Sequence, residues 1–198
     1  MKRPRAYTKV QRAAAEEATR ERIVCAIMAL HEEVGPARTT VSAIAERAGV
    51  ERLTVYRHFP DEPSMLRACS AHWTALHPLP PLPADGSDPR AACRRTILRL
   101  YAWYRANEAM LVQITTDARK IPLVAELIAP LGADLDRAAA ELDARWPRRS
   151  ARRATTIRHA LEFSTWRSLD RLTGSDRRAA GVVVGWVEGA AECRENEG

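Results

Sequence analysis

An all-α fold of about nine helices is what this 198-residue sequence predicts, and three observations carry that expectation. Apolar residues recur at i, i+3, i+4 and i+7 through most of the chain, which is the spacing of one buried helix face. Glycine, proline and short polar side chains fall between those runs, where helices stop and start. Only Val182-Val183-Val184 suggests a strand, and Gly181, Gly185 and Gly189 beside it keep a helical spacing.

The first helix is predicted from about Ala13 to Val34, with Ile23, Ala26, Ile27, Leu30 and Val34 on its buried stripe; Gly35-Pro36 ends it. Lys2, Arg3, Arg5, Lys9 and Arg12 all precede the first acidic residue, Glu16. Residues 1–18 therefore read as a basic arm. Such an arm can lie along phosphates, reach into a minor groove, or remain a disordered tail.

Two short helices follow. In the first, Val41, Ile44, Ala45 and Ala48 share an apolar face, and the Thr40 hydroxyl can cap its start. Gly49 stands where a helix end often needs a left-handed residue. Val50, Val55 and Phe59 can then pack the second helix onto the first. Arg52, Leu53, Thr54, Tyr56, Arg57 and His58 are left largely outward. Two helices joined by a tight glycine turn, the second polar and basic outside, have the geometry that enters a DNA major groove.

Asp61-Glu62-Pro63 opens a fourth helix, with Leu66, Cys69, Trp73 and Leu76 expected inside. The stretch from His77-Pro78 to Pro89 is rich in Pro, Gly and Asp and reads as a linker. Asp88-Pro89 starts a fifth helix with Ile97, Leu100, Trp103 and Tyr104 inside, and a sixth covers Glu108 to Asp117. Pro122 begins a seventh, whose face carries Val124, Leu127, Ile128, Leu131, Leu135, Ala138, Leu142 and Trp146, with a kink expected at Pro130. An eighth runs from about Ala151 to Leu172 with Ile157, Leu161, Ser164 and Ser168 in register. Ser175 caps a ninth that ends near Cys193.

The segment from about Thr19 to Leu66 resembles the DNA-binding domain of the TetR family of transcriptional regulators. The matching residues are Thr39-Thr40, Ile44-Ala45, Ala48-Gly49-Val50, Thr54 and Tyr56-Arg57-His58-Phe59-Pro60. The resemblance implies an N-terminal three-helix DNA-binding domain (residues 19–66) behind the arm. It also implies a larger helical domain for ligand binding and dimerisation (residues 67–198). Thr40, Arg52, Leu53, Thr54, Tyr56, Arg57 and His58 are the expected DNA-binding residues. Arg52 can make two hydrogen bonds to guanine, and Thr54 and Leu53 can touch a thymine methyl. By family pattern Tyr56 and Thr40 hold phosphates, which set register without reading sequence. Glu51 stands where the family usually has serine, and Glu62 where it commonly has lysine; both changes predict weaker or more salt-sensitive binding.

The implied function is a homodimeric repressor that binds a palindromic double-stranded DNA operator and is released by a small-molecule effector. An activator, or a repressor that needs its ligand, fits the same residues. A helical protein that has lost DNA binding is the reading that Glu51 and Glu62 would favour. Gly181, Gly185 and Gly189 make a small-residue face along one helix, and Ser164 and Ser168 make another. Helical glycine costs about 1 kcal/mol relative to alanine, so close approach of another helix is the natural reason for three of them. With Leu161 they form the expected dimer interface, packing within one subunit being the alternative. Trp103, Tyr104, Met110, Gln113, Ile114, Phe163 and Trp166 are candidates to line the effector pocket, as flat or apolar ligands require; plain core is the alternative for each.

A net charge of +6 and a pI near 9.5 favour a polyanionic partner. Cys25, Cys69, Cys93 and Cys193 are widely separated, which argues for thiols rather than a disulfide framework or structural zinc. His159 and Glu162 alone do not make a metal site. Arg145, Arg148, Arg149, Arg152 and Arg153 read as an anion site or a solvated turn. The sequence carries no phosphate loop, nucleophile elbow or metal-ligand cluster, so no enzyme, catalytic residue, metal or cofactor is expected. No apolar run suits a membrane and no signal peptide is visible, so a cytoplasmic location is expected.

Overall fold

A computed structural model describes residues 5–86 and 88–192. It holds ten helices and, among the described residues, no strand. They are α1 (Arg5–Val34), α2 (Val41–Ala48), α3 (Arg52–His58), α4 (Glu62–Leu76), α5 (Pro89–Ala106), α6 (Glu108–Asp117), α7 (Pro122–Asp143), α8 (Ala151–Ala160), α9 (Phe163–Thr173) and α10 (Asp176–Glu192). No helix among the described residues is long and apolar enough to cross a membrane. The chain divides into two compact units, residues 1–78 with 112–127 and residues 79–111 with 128–198, so the division passes through α6 and α7.

In the first unit, α1, α2, α3 and α4 close over a core of Ile23, Val24, Ile27, Leu30, Ile44, Ala45, Val55, Phe59, Met65 and Cys69. Helix α1 begins at Arg5 rather than near Ala13, so the basic residues from position 5 onward ride on a helix. Lys2, Arg3 and Cys193 lie outside the described residues. Asp61 and Ser64 cap α4 reciprocally: Ser64 N donates to Asp61 Oδ1 at 2.8 Å and Asp61 N to Ser64 Oγ at 3.4 Å. Met65, not Leu66, turns into the core with Cys69, while Leu76 is exposed. Of the expected stripe Cys69 is buried, Leu66 and Trp73 are half-buried, and only Leu76 faces out.

A segment distant in sequence completes this unit. Gly35 ends α1 at φ 86°. A Cβ there would also stand 2.6 Å from Asp117 Oδ2 and 3.0 Å from Gln113 Oε1, so glycine is required on two counts. Asp117 Oδ2 accepts from Ala37 N at 2.9 Å. A cavity of about 270 Å³ nearby is walled by Ile27, His31, Ile44, Met65, Leu66 and Ile121 among others.

His31, buried beside Cys69 with Nδ1 3.4 Å from Sγ, is pushed down to about 4 by desolvation, opposed in part by Asp117. Cys69 is pushed up to about 12 by the same burial. The folded state therefore resists protonating His31, while the unfolded chain accepts a proton below pH 6.5. Stability should fall as pH drops from about 6.5 to about 4, by on the order of 3 kcal/mol in all. Urea midpoints across that range should fall less for His31→Gln than for the parent; parallel curves would show that other groups carry the acid sensitivity.

In the second unit, α10 packs on α5, α8 and α9. Asp88 caps α5 through Arg90 N and Ala91 N, and Cys93, Ile97, Leu100, Tyr101 and Tyr104 face inward, while Trp103 is half-buried. The Pro-rich stretch is bound down rather than loose. Arg99 donates to Pro81 O at 2.9 Å, Arg137 to Leu82 O at 3.2 Å, and Arg145 to Ala84 O and Gly86 O at 2.9 Å each. Helix α7 runs on through the exposed Pro130 and stops at Asp143, short of Trp146.

The helix expected from Ala151 to Leu172 is two helices, which raises the count from nine to ten. Side chains take the carbonyls at the break. Tyr101 Oη donates to Ala160 O at 2.8 Å, Tyr104 Oη to Leu161 O at 2.6 Å, and Thr165 Oγ1 to His159 O at 2.7 Å. With those acceptors satisfied from outside the ladder, the helix stops without glycine or proline. Burial raises the pKa of both phenols, so they stay protonated donors.

Candidate nucleic-acid interface

The α2–α3 pair is shaped by short-range chemistry. Thr40 Oγ1 accepts from Ala43 N at 3.2 Å, capping α2. Gly49 adopts φ 64°, ψ 42°, and Val50 N returns to Ala45 O at 3.0 Å, so the turn is closed by backbone alone. Ile44, Ala45 and Ala48 on α2 meet Val55 and Phe59 from α3 in the core. Arg47 at the end of α2 grips Glu33 of α1 with both guanidinium arms, one at 2.8 Å, and that hydrogen bonding holds the Glu33 carboxyl below its usual range. Nothing in a period of 3.6 reveals this pair, because it joins two helices.

With Val55 and Phe59 fixed inward, the rest of α3 turns out. Leu53 is 78% exposed and Tyr56 42%, and Arg52 and Arg57 are exposed beside them. Thr54 and His58 are half-buried, and His58 Nε2 is shielded with no hydrogen-bond partner. Thr40 is exposed at the start of α2, its capping bond leaving the hydroxyl hydrogen free for an acceptor. Six of the seven residues thus lie on α3 and Thr40 at the start of α2, and five of the seven are exposed. Glu51, the exposed residue before α3, makes no side-chain cap. Sequence reading missed Arg20: its guanidinium lies 5.0 Å from the centroid of the Phe59 ring, joining α1 to the end of α3.

The other expected residues separate into groups. Tyr104, Phe163 and Trp166 form one aromatic cluster, with Tyr104–Phe163 centroids 5.3 Å apart, Phe163–Trp166 5.5 Å and Trp103–Tyr104 5.7 Å. Trp166 is anchored by Asp176 and covered by Arg105, which binds Asp170 and Asp176 and keeps the Asp176 carboxyl below its usual range. Met110 is buried and Ile114 half-buried on α6. Gln113, also on α6, donates to Glu33 O at 3.3 Å within the first unit. Ser164, Ser168, Gly181, Gly185 and Gly189 are all exposed, as are Leu172 at 80% and Trp186 at 41%. Leu161 is fully buried at the α8–α9 break and does not share that face. Two arginines of the basic turn are engaged, Arg153 buried against Asp143 and Arg145 on the Pro-rich stretch, while Arg148, Arg149 and Arg152 are exposed. His159 approaches Thr165, and Glu162 pairs with Arg158.

Residues 23–69 match the family model of bacterial regulatory proteins of the tetR family. No curated protein matches the chain. Solved structures share its fold. Salmonella enterica GusR aligns with a TM-score of 0.60 at 20% identity, covering 89% of this chain and 96% of its own. The fatty acid degradation regulator FadR from Bacillus halodurans aligns with a TM-score of 0.56 at 15% identity, covering 85% and 93%. The matched residues contain α2, α3 and the turn between them, so the segment that presents Arg52, Tyr56 and Arg57 is the one that carries the likeness. The likeness to bacterial regulatory proteins of the tetR family thus lies in residues 23–69, and across the rest of the chain the likeness to the solved structures is one of fold.

Proposed function

We propose that this protein is a DNA-binding transcriptional regulator, a homodimeric repressor that occupies a palindromic operator and leaves it when a small molecule binds. In this reading residues 19–66 read DNA, and residues 67–198 supply the dimer and effector surfaces. The observation that carries it is the outward face of α3, where Arg52, Leu53, Tyr56 and Arg57 stand clear of a helix fixed by Val55 and Phe59. Arg52 reads a guanine, Leu53 and Thr54 meet thymine methyls, and Tyr56 and Thr40 hold phosphates.

The dimer reading is supported by the α9 and α10 surface. A Cβ added at Gly181, Gly185 or Gly189 would meet nothing within 4 Å among the described residues, so no close packing there explains these glycines. They are exposed beside Trp186 and Val182, as a two-helix face for a second copy would be. Such a dimer would set two recognition helices about 34–36 Å apart, one helical turn of DNA. The effector reading draws on the aromatic group Trp103, Tyr104, Phe163 and Trp166, whose faces suit a flat apolar molecule. To release DNA, that molecule must bind the free and operator-bound states with different affinity.

Selection from random duplex DNA, followed by sequencing, tests the reading. A palindrome should be enriched. Arg52→Ala should relax one base position per half-site by about 1–3 kcal/mol, while Tyr56→Phe weakens all sequences evenly. Folded protein that enriches no site at moderate salt would refute it.

A further inference from the structure

We propose that the first turns of α1 form a second DNA contact, a helical outrigger that lies against phosphates flanking the sequence read by α3. This rests on the DNA-binding reading above and extends it to a surface outside the helix-turn-helix. Residues 9–18 of α1 are exposed at every position, Val10 at 68%. Helices in proteins normally owe their stability to a packed face, and this stretch has none within its unit. From Arg5 to Ala18 it adds roughly 20 Å of helix, the length of about six base-pair steps.

Three features select DNA as the occupant. Lys9 and Arg12 are one turn apart and form no ion pair among the described residues. The acidic residues lie behind them toward the core: Glu16 follows Arg12 by four residues, and Glu17 is taken up by Arg20 at 3.8 Å. Arg20 in turn lies over Phe59, the residue that closes α3, so the stretch is continuous with the recognition surface. Glu51 and Glu62, exposed at the starts of α3 and α4, repel phosphate where a basic or neutral group would attract it, which leaves phosphate attraction to be supplied from elsewhere.

Helical geometry also decides the mode of contact. An α-helix with its side chains is about 10–12 Å across, and the minor groove of B-DNA is about 6 Å wide. Residues from Arg5 onward therefore do not thread the minor groove. They contact the backbone from outside, which adds affinity and footprint but no base preference.

The test uses the full chain, an operator obtained by selection with the parent protein, and the exposed double variant Lys9→Ala/Arg12→Ala. Two lost phosphate contacts should reduce the slope of log K against log salt by roughly 1.8. Hydroxyl-radical protection should shrink at the flanks, and a repeat selection should return the same base preferences. Lys9→Arg/Arg12→Lys should restore the slope. An unchanged slope and footprint with intact operator binding would overturn the outrigger alone. So would a variant that changes oligomeric state without changing the slope, since that would assign the surface to a second copy. If the parent enriches no operator, the DNA reading itself fails, and the two failures are thereby distinct.

Discussion

Gly185→Leu is expected to leave the protomer folded and to abolish tight operator binding. Inside the protomer the first atom of the new side chain has room, because a Cβ at the exposed Gly185 meets nothing within 4 Å among the described residues. It even replaces a poor helix former by a good one, a gain approaching 1 kcal/mol. In the proposed dimer the same side chain stands between two helices whose approach depends on having none. Losing the partner turns a bivalent DNA reader into a monovalent one, which lowers apparent affinity by about 10²–10⁴-fold. Sedimentation should show monomers, circular dichroism a largely helical chain, and fluorescence anisotropy the loss of affinity. A variant that stays dimeric and binds its operator as the parent does would remove this face from the interface.

Asp143→Ala is expected to be the most destabilising single change in the second unit. Arg153 and Asp143 side chains are 4% and 7% exposed, and both Nε and Nη2 of the arginine lie 2.7 Å from Asp143 Oδ1. The guanidinium also donates to Arg148 O and lies 4.8 Å from the centroid of the Trp146 ring, so protein groups surround most of it. Asp143 Oδ2 further accepts from Ser150 N at 3.3 Å, tying the turn to the end of α7. Deleting the carboxylate strands a buried cation, at a cost of about 3–5 kcal/mol. That is a large share of a typical stability of about 5–15 kcal/mol. Urea unfolding should show it, with exposed Arg152→Ala shifting the midpoint little. A shift for Asp143→Ala no larger than for Arg152→Ala would mean the site takes up water.

The parts of the fold that were legible in the sequence are those decided within one or two turns of chain. Thr40, Gly49, Val55 and Phe59 act on neighbours a few residues away, so the α2–α3 hairpin and its outward residues followed from spacing alone. Ile23, Ala26, Ile27 and Leu30 gave the stripe of α1 for the same reason. The break between α8 and α9 was not legible, because its cause is two tyrosine hydroxyls from 57 and 59 residues earlier. Arg153 looked like one of five equivalent surface arginines. Only its approach to Asp143 across a turn separates it from Arg152, and composition cannot express that. The start of α1 was misplaced because exposed, alanine-rich turns carry no apolar period to read.

Asp117 and Ile121 have a consequence for anyone who cuts or recombines this chain. The unit that holds the helix-turn-helix is assembled from two separate pieces of sequence, and the later piece supplies the acceptor for Ala37 N and part of a cavity wall. A fragment ended at Pro78 retains every residue proposed to face DNA, yet it loses the carboxylate that fixes the turn ahead of α2. A chimera joined at the same point inherits a foreign residue beside Gly35, where the native Asp117 carboxylate packs so closely that a Cβ on Gly35 would stand 2.6 Å from it. The boundary that respects this chain's physics is therefore not a single cut but three matched splices, after residues 78, 111 and 127.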